Sequence, residues 1–501
     1  MDEAASHSAS AGGAESAAPG AKKSPKKVFG VVGLAIFTFA FLANVNTTPQ
    51  LSTFGLGSII LFLAAIVLFL GPTAMASAEM GSTWPRTGGL YVWTRLAFGE
   101  ATAFMIIWLE FANFVVAWPG IMGSISSQAS YPIDPNLDNN PMFIIPVVIA
   151  VTWAAAWFAL RGLRVAKGFA WYAVVAGTLL PAVILVGFAI HYLSIGRKPA
   201  MEVSAEALIP HIDATNIAFL SGALLMFSGI EISAIHSGDI ENPGKTIPRS
   251  NLIAVVLCFV LFAPLTLALA VMVPSGDMNI VAGLVQAGEK VFDQFNVGWM
   301  TAVFTVLLVT GAAASLIQII SGPSRGLLVA GRVGGNLPPF LQKENKLKMP
   351  VAIILAQAVI SSVLALGYGL LGSVQNAWFI FSIVQTNMTL VLYGIMFAAV
   401  VKLRFSRPNV DRPYRIPGKL FGLYAVVGVG MIVCLLGIMV SLFPTVEAQG
   451  MSTPVYIAVV VLGTGAFLAM PFAFWLFRKP SWKTDVAEDA DDFATDEEAL
   501  T

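Results

Sequence analysis

Two carboxylates and a histidine lie inside long apolar stretches of this chain. Glu231 and His236 belong to the run IAFLSGALLMFSGIEISAIHSGDIENP at 217–243, and Glu110 lies in WLEFAN at 108–113. A charged side chain at the centre of a bilayer costs roughly 2.5–3.5 kcal/mol, so it is usually found facing a cavity or a partner, where it can bind, gate or carry a proton. Glu231 and Glu110 are therefore the first candidates for functional groups.

The helices expected around these acids are interrupted at two places. Beside Glu231, Ser228 and Gly229 weaken the helix, because glycine costs helix stability and serine competes for backbone hydrogen bonds. In the first apolar stretch, VFGVVGLAIFTFAFLANVNTTPQLSTF at 28–54, Pro49 lacks an N–H and disfavours helical backbone in the residue before it. Helices broken near the bilayer midplane are where secondary transporters bind substrate. The two interruptions, five spans apart, therefore predict a substrate site between them and an inverted repeat of five plus five spans.

Composition indicates an all-α polytopic membrane protein. Of the 501 residues, 57% are hydrophobic and 11% are charged, against roughly 25% charged residues in soluble domains. Apolar runs of the roughly 20 residues needed to cross a bilayer recur along the chain, whereas a β-barrel would show short alternating segments. We predict twelve spans, near 28–54, 56–80, 98–128, 141–160, 168–194, 214–237, 250–274, 297–331, 350–372, 376–401, 420–443 and 454–477.

The distribution of basic residues supports this even number of spans. With twelve spans, Arg197, Lys198 and Lys290 lie on one side of the membrane, and the rest of the 28 Lys and Arg residues lie on the side of the N-terminus. Because cytoplasmic loops carry the excess of Lys and Arg, we expect both termini in the cytoplasm and the chain in the cell inner (plasma) membrane.

The span assignment divides the chain into six segments. They are a disordered cytoplasmic N-terminus rich in Ala, Ser and Gly at 1–27, a first repeat of five spans at 28–195, a second repeat of five spans at 214–403, a cytoplasmic loop at 404–419, spans eleven and twelve at 420–478, and an acidic cytoplasmic tail at 479–501.

Other function classes lack their motifs in this sequence. We find no GxxxxGK[ST] loop for nucleotide-driven transport, no clustered catalytic set that indicates an enzyme, and no filter motif or charged ring that indicates a channel. Basic and acidic residues balance at 28 each, and no basic cluster interleaved with aromatics points to nucleic acid. Cys258 and Cys434 lie in separate apolar spans, so neither a disulfide nor a metal site is predicted, and no cofactor is expected.

Several motifs, spread in order from residue 28 to about 445, resemble those of the amino acid–polyamine–organocation superfamily of transporters. Within it, the chain most resembles the bacterial glutamate/GABA antiporter group, which has a closely similar run in span six and GPSRG after span eight. The motifs are EMGSTWPRTGGLYVW at 79–93, FSGIEISAIH at 227–236, DIENPG at 239–244, Ile247-Pro248, GPSRG at 322–326, NLPP at 336–339, and the segment from Pro408 to Pro417 with RIP at its end.

The resemblance implies a LeuT-like fold, with a 5+5 inverted repeat plus two extra helices and the substrate between broken spans one and six. Backbone N–H groups freed in span one would receive the substrate carboxylate, and carbonyls freed in span six would receive its amino group. The substrate-binding residues implied are Asn44, Val45, Asn46, Thr47 and Thr48 in span one, and Ser228, Gly229, Ile230 and Glu231 in span six.

Four residues are candidates for coupling or gating, and each has a structural alternative. Glu231 and Glu110 could instead be structural carboxylates bonded to polar groups of neighbouring helices. His236 could titrate at mildly acid pH or be an interface histidine. Trp378 could gate the site from outside or belong to the aromatic belt at the membrane surface.

The chain also departs from the superfamily pattern in ways that leave the substrate open. Span one has Asn44-Val45-Asn46-Thr47-Thr48 where Gly-Ser-Gly is common, so polar side chains replace bare backbone. Residues 299–331 contain no Asp or Glu, although antiporters of the glutamate/GABA group carry an acid in span eight. The short acidic tail does not resemble the basic, histidine-containing plug of some of these exchangers. Substrate identity and pH dependence therefore do not carry over.

We thus expect a secondary active amino-acid transporter that works by alternating access, most simply an exchanger of the glutamate/GABA or amino acid/amine type. A substrate gradient, or a proton on Glu231 or Glu110, would drive it. The alternatives are a proton-coupled importer and, from another class, a non-transporting membrane sensor or partner subunit. The expected partners are a small amino acid or amine, protons in the coupled case, and the lipid bilayer, while the oligomeric state is left open.

Overall fold

A computed structural model describes most of the chain between residues 30 and 483. The predicted N-terminal segment 1–27 and most of the predicted tail lie outside the described residues. The described residues are 30–483 without 43–44, 87, 131–132, 135–136, 139, 163–168, 170, 214–215, 232–239, 372 and 445–450.

The described residues form helices and connecting loops, and Glu344 and Pro350 form an isolated β-bridge. The long helices are apolar on all faces, as helices surrounded by lipid and other helices are. The helices are α1 (Val31–Leu42), α2 (Thr48–Ser52), α3 (Gly57–Thr83), α4 (Leu90–Phe98), α5 (Glu100–Ser130), α6 (Pro141–Ala159), α7 (Trp171–Ser194), α8 (Phe219–Met226), α9 (Pro243–Met272), α10 (Gly283–Gln294), α11 (Met300–Gly334), α12 (Val351–Leu370), α13 (Val374–Ser406), α14 (Lys419–Val440) and α15 (Thr453–Phe477).

The predicted multi-pass helical fold is confirmed, while the number of twelve spans stays a prediction. Within the described part of the chain, ten helices are long and apolar enough to cross a membrane, and the bent pair α1–α2 makes up to eleven. Among the described residues of the expected span 214–237, the helix is α8, which has 8 residues and is too short to cross a bilayer alone. Residues 232–239, which would continue this span, lie outside the described residues.

Helices that are five spans apart in the prediction pack against each other. The contacting pairs are α3 with α9, α5 with α11, and α6 with α12. Helices that lie close to a two-fold axis between two halves would pair in this way, and the five-plus-five repeat stays a prediction. In α5, 67% of the most apolar stretch is buried inside the protein, against 17% in α15. The last helix is therefore peripheral, as expected for a span outside the repeat.

Helices α7 and α11 approach each other closely at a pair of glycines. A Cβ atom built on Gly177 would lie 2.7 Å from the Cα atom of Gly311, a distance that real side chains do not reach. Small residues allow such close contact between membrane helices. The segment Val175–Leu179 is a π-helical turn within α7, and turns of this kind are frequent at functional sites. This crossing forms one wall of the cavity described below.

A buried ion cluster joins the end of α3 to α13 and to the loop after it. Glu79 pairs with Arg404, and both side chains are 2% exposed. Arg412 Nε lies 3.5 Å from Glu79 Oε1, and the backbone N–H of Ile416 donates to Glu79 Oε2 at 2.8 Å. One carboxylate therefore holds two helices and a loop together at the membrane face that the charge distribution predicts to be cytoplasmic.

Candidate functional site

The first interruption lies where the sequence predicts it, between α1 and α2. Residues Val45–Thr47 form one 3-10 turn, and the segments Val31–Ala40 and Val45–Ser52 meet at an angle of 46°. Pro49 lies in the first turn of α2, where the absence of its N–H costs no hydrogen bond. The hydroxyl of Thr48 donates to the carbonyl of Val45 at 2.6 Å, which closes the turn.

The second interruption follows α8. The helix ends at Met226, and Gly229 has a φ angle of 110°, which favours glycine because a Cβ atom would be strained there. The N–H of Gly229 donates to the hydroxyl of Tyr393 at 2.5 Å, and this hydroxyl donates to Glu231 Oε2 at 2.5 Å. One tyrosine of α13 thus replaces a lost helical hydrogen bond and orients the carboxylate of Glu231.

A cavity of about 190 Å³ lies between the two interruptions. A single water needs roughly 10–15 Å³ by the same kind of measure, so the cavity has room for a small organic molecule. Its polar lining comes from Asn46 and Thr47 at the first interruption, Ser228, Gly229 and Glu231 at the second, Glu110 and Asn113 of α5, Thr178 of α7, Ser315 of α11, and Gln385, Thr389 and Tyr393 of α13.

Most of the predicted site residues line this cavity. Val45, Asn46, Thr47, Ser228, Gly229, Glu231 and Glu110 all line the cavity. Thr48 and Ile230 are fully buried and do not line it. Trp378 is 4% exposed, lies 4.0 Å from the position that a Cβ atom on Gly120 would take, and does not line the cavity either. Asn44 and His236 lie outside the described residues.

The polar stripe of α13 was not predicted from the sequence. Gln385, Thr389 and Tyr393 are spaced by four residues, which places them on one face of the helix. Asn113 donates to the hydroxyl of Thr389 and, at 3.3 Å, to the carbonyl of Gln385, and the amide of Gln385 donates to Asn113 Oδ1 at 3.2 Å. This regular spacing of polar residues inside an apolar span could have indicated a polar face of the helix.

Thr47 presents an unused hydroxyl at the wall of the cavity. Its side chain is 6% exposed, and Oγ1 has no hydrogen-bond partner within the described structure. Buried polar atoms normally have a partner, so an orphan at a cavity wall indicates a group that a ligand would satisfy. The neighbouring Asn46 Oδ1 accepts from Gln128 Nε2 at 3.3 Å, which ties this side of the site to α5.

The start of α10 covers α2 beside the first interruption. A Cβ atom on Gly283 would lie 2.7 Å from Pro49 Cβ, so the start of α10 packs directly on α2. Asn279, just before α10, donates to Asp138 Oδ2 at 2.5 Å, which ties this cover to the loop after α5. Burial raises the pKa of Asp138, and the hydrogen bond from Asn279 opposes that rise.

Acids, without a basic partner among the described residues, line the cavity. Glu110 and Glu231 lie close enough for their charges to interact, and no Lys, Arg or His lines the cavity among the described residues. Groups of three or more His, Cys, Asp or Glu that could hold a metal ion are not found in the described part either. The arrangement is therefore a small pocket with two acids at its wall and hydrogen-bonding groups around them.

Comparison with known proteins agrees with the motifs. The model of the amino acid permease family matches residues 26–467. The chain is 30% identical to an uncharacterised transporter of Legionella pneumophila, over 91% of this chain and 97% of that protein. It is 25% identical to a glutamate/gamma-aminobutyrate antiporter of Lactococcus lactis, over 89% and 90%, and 22% identical to a probable agmatine/putrescine antiporter of the same species, over 82% and 86%.

These similarities extend over the helices that form the cavity and over nearly the full length of the relatives. The expected resemblance to the superfamily is confirmed, and the relatives named are transporters and not enzymes. Because the family model covers most of the chain, this multi-pass membrane protein belongs to the amino acid permease family of the amino acid–polyamine–organocation superfamily.

Proposed function

We propose that this protein exchanges amino acids, or an amino acid for an amine, by alternating access, and that the substrate binds in the cavity between the two interruptions. The observation that carries the proposal is that one cavity is lined by both interrupted segments and by the acids Glu110 and Glu231. Substrate and ion sites of secondary transporters lie at such interruptions. The glutamate/gamma-aminobutyrate and agmatine/putrescine antiporters among the relatives support exchange rather than one-way uptake.

Within the cavity, the two interruptions would hold opposite ends of the substrate. Asn46 and the unpaired hydroxyl of Thr47 offer hydrogen bonds to a carboxylate or another acceptor. On the other side, Ser228 and Glu231 offer oxygen atoms to an amino group. An ammonium donates three hydrogen bonds and a carboxylate accepts them, so an amino acid fits this polarity.

The charge distribution supports the orientation in the membrane. We propose that both termini lie in the cytoplasm and that the chain resides in the cell inner membrane, because the side of the N-terminus carries almost all Lys and Arg residues. In this orientation, the cover formed by α10 faces outward, and the Glu79 cluster lies at the inner face. Alternating access would require both sets of contacts to open and close in turn.

The proposal is tested in proteoliposomes that contain only the full chain. Vesicles loaded in turn with labelled glutamate, GABA, agmatine, putrescine or leucine are diluted into buffer with and without the same unlabelled compound outside. We expect at least one label to leave faster when the unlabelled compound is present. Equal efflux in both buffers would contradict exchange, and a pH gradient that drives net uptake would then support the proton-coupled importer. No flux with any label would contradict transport altogether.

A first prediction concerns Tyr393. Tyr393→Phe removes both the acceptor for Gly229 and the donor to Glu231, and hydrogen bonds of this kind contribute roughly 0.5–1.5 kcal/mol each. We expect an initial exchange rate that is about two- to ten-fold lower. The control is Tyr172→Phe, because Tyr172 also bonds through its hydroxyl, to Thr310, but does not line the cavity. If both variants exchange at the wild-type rate, Tyr393 does not position the site.

A further inference from the structure

The two acids of the cavity approach it from different elements. Glu110 belongs to α5, and Glu231 follows the second interruption, so neither position is imposed by the other. Their charges interact, and like charges in a low-dielectric environment repel more strongly than in water. The fold therefore brings together two acids whose joint ionisation is costly, and either a proton on one of them or a cation bound between them lowers that cost.

The described wall supplies no side chain that could neutralise this pair. The cavity is lined by no Lys, Arg or His among the described residues. Tyr393 donates one hydrogen bond to Glu231 Oε2, and a phenol has a single proton to donate. Each carboxylate accepts about four hydrogen bonds, so acceptor sites remain on the pair for a bound donor.

Several side-chain donors near Glu110 and Glu231 already have acceptors of their own. The amide of Gln385 already donates to Asn113, and Asn113 donates to Thr389 and to the carbonyl of Gln385. Ser228 donates to the carbonyl of Leu225 at 2.7 Å. Most of the side-chain donors around the acids are thus already engaged.

We propose that the cavity selects substrates with a cationic end, an alkylammonium or a guanidinium, which binds between Glu110 and Glu231. This inference rests on the proposed function and narrows its substrate class to cationic amino acids and the corresponding diamines. A substrate with an anionic side chain would add a third negative charge to the pair. A substrate with an apolar side chain would offer only its α-amino group to Glu231 and would leave the acceptors of Glu110 unused, which is costly for a buried group.

The opposite wall accommodates the rest of such a molecule. The hydroxyl of Thr47 lacks a partner within the described structure and lies with Asn46 at the first interruption. It can accept a hydrogen bond from an ammonium or donate one to a carboxylate. Cationic amino acids and their decarboxylated products therefore both find a partner there, which is what an exchanger of the two would need.

Three amino acids with the same number of carbon atoms distinguish the effect of side-chain charge from the effect of size. Ornithine ends in an ammonium, norvaline lacks it, and glutamate ends in a carboxylate. In proteoliposomes with the full chain, each unlabelled compound competes against the labelled compound that exchanges in the flux assay. We expect ornithine to compete at a concentration at least about ten-fold lower than norvaline, as a charged hydrogen bond in a buried site allows, and glutamate to compete least.

Variants of Glu110 test the residue itself. For Glu110→Gln, we expect the concentrations at which ornithine and norvaline compete to become similar. For Glu110→Asp, which keeps the charge, we expect these two concentrations to stay different. The control Glu206→Gln removes an exposed carboxylate outside the cavity and should change neither value. Continued exchange of the labelled compound by Glu110→Gln shows that the variant is folded. If Glu110→Gln exchanges no compound, the concentrations measured with Glu110→Asp decide whether the carboxylate has this role.

The outcomes distinguish this inference from the proposed function. Exchange in which glutamate or norvaline competes as well as ornithine overturns the cationic selectivity but leaves exchange intact. The role of the carboxylate pair is overturned if Glu110→Gln leaves the ratio of the competing concentrations of ornithine and norvaline unchanged. It is also overturned if the two concentrations become equal in Glu110→Asp. The absence of exchange with every label overturns both.

Discussion

Replacement of Glu231 by glutamine is expected to lower the initial rate of substrate exchange by about ten- to one-hundred-fold. Glutamine keeps the shape of the side chain but removes its charge. A hydrogen bond to a charged group contributes roughly 1.5–3 kcal/mol, which corresponds to that range. The carboxylate lines the cavity and is held by Tyr393 at 2.5 Å, so its loss acts directly on the bound substrate. The measurement is counterflow of labelled substrate in proteoliposomes.

The matched control for this variant is Glu100→Gln. Glu100 begins α5, where its carboxylate pairs with Arg95 at 2.9 Å and both side chains are about one quarter exposed. Such partly solvated pairs contribute roughly 0–1 kcal/mol, so we expect a rate within a few-fold of wild type. Measurements between pH 5 and pH 8 span the range in which histidine and carboxylates with raised pKa values titrate. If Glu231→Gln matches wild type throughout, Glu231 neither gates nor couples transport.

The largest effect on stability is expected at Glu79. Glu79→Ala leaves the guanidinium of Arg404 without its carboxylate in a site where both side chains are 2% exposed. Two further nitrogens of Arg404, Nε and Nη1, have no partner within the described structure. Removal of one partner from a buried ion pair typically costs about 3–5 kcal/mol. We expect the purified protein to unfold at a clearly lower temperature in detergent.

The consequences of Glu79→Ala extend to the loop after α13. Burial lowers the pKa of Arg412, and the carboxylate of Glu79 opposes that decrease, so its removal leaves Arg412 buried with less compensation. The backbone N–H of Ile416 also loses its acceptor. The matched control is Glu344→Ala, because Glu344 pairs with Arg332 at 2.8 Å with both side chains more exposed. Equal thermal shifts for the two variants would contradict the structural role of the cluster.

The positions of the helices followed from the sequence to within a few residues for most spans. The expected spans 141–160 and 454–477 correspond to α6 and α15, which begin and end within one residue of them. Apolar length determines such boundaries, because backbone groups in lipid must all be bonded within the helix. The sixth span was less predictable, since its helix α8 ends at Met226 and the break is stabilised by Tyr393 from a distant part of the chain.

In the candidate site too, local features were predictable from the sequence, whereas features that depend on helix packing were not. Gly229 and Pro49 marked the interruptions because their backbone preferences are local properties. Trp378 looked like an external gate or a belt residue from its position at the start of a span, yet it is buried and does not line the cavity. The direction of a side chain on a membrane helix depends on which neighbour the helix packs against, and an apolar sequence leaves that open.

By itself, the sequence determined the class of protein, the long helices, the two interruptions and the acids that are costly in a membrane. These follow from the local balance between apolar length, backbone hydrogen bonding and the cost of burying charge. Only the tertiary structure decided that Glu110 and Glu231 face one cavity without a cation in its described wall, and that Tyr393 joins Gly229 to Glu231. The hydrogen bonds of Tyr393 join residues 162 and 164 positions apart, and such contacts depend on how the helices pack, which no local pattern specifies.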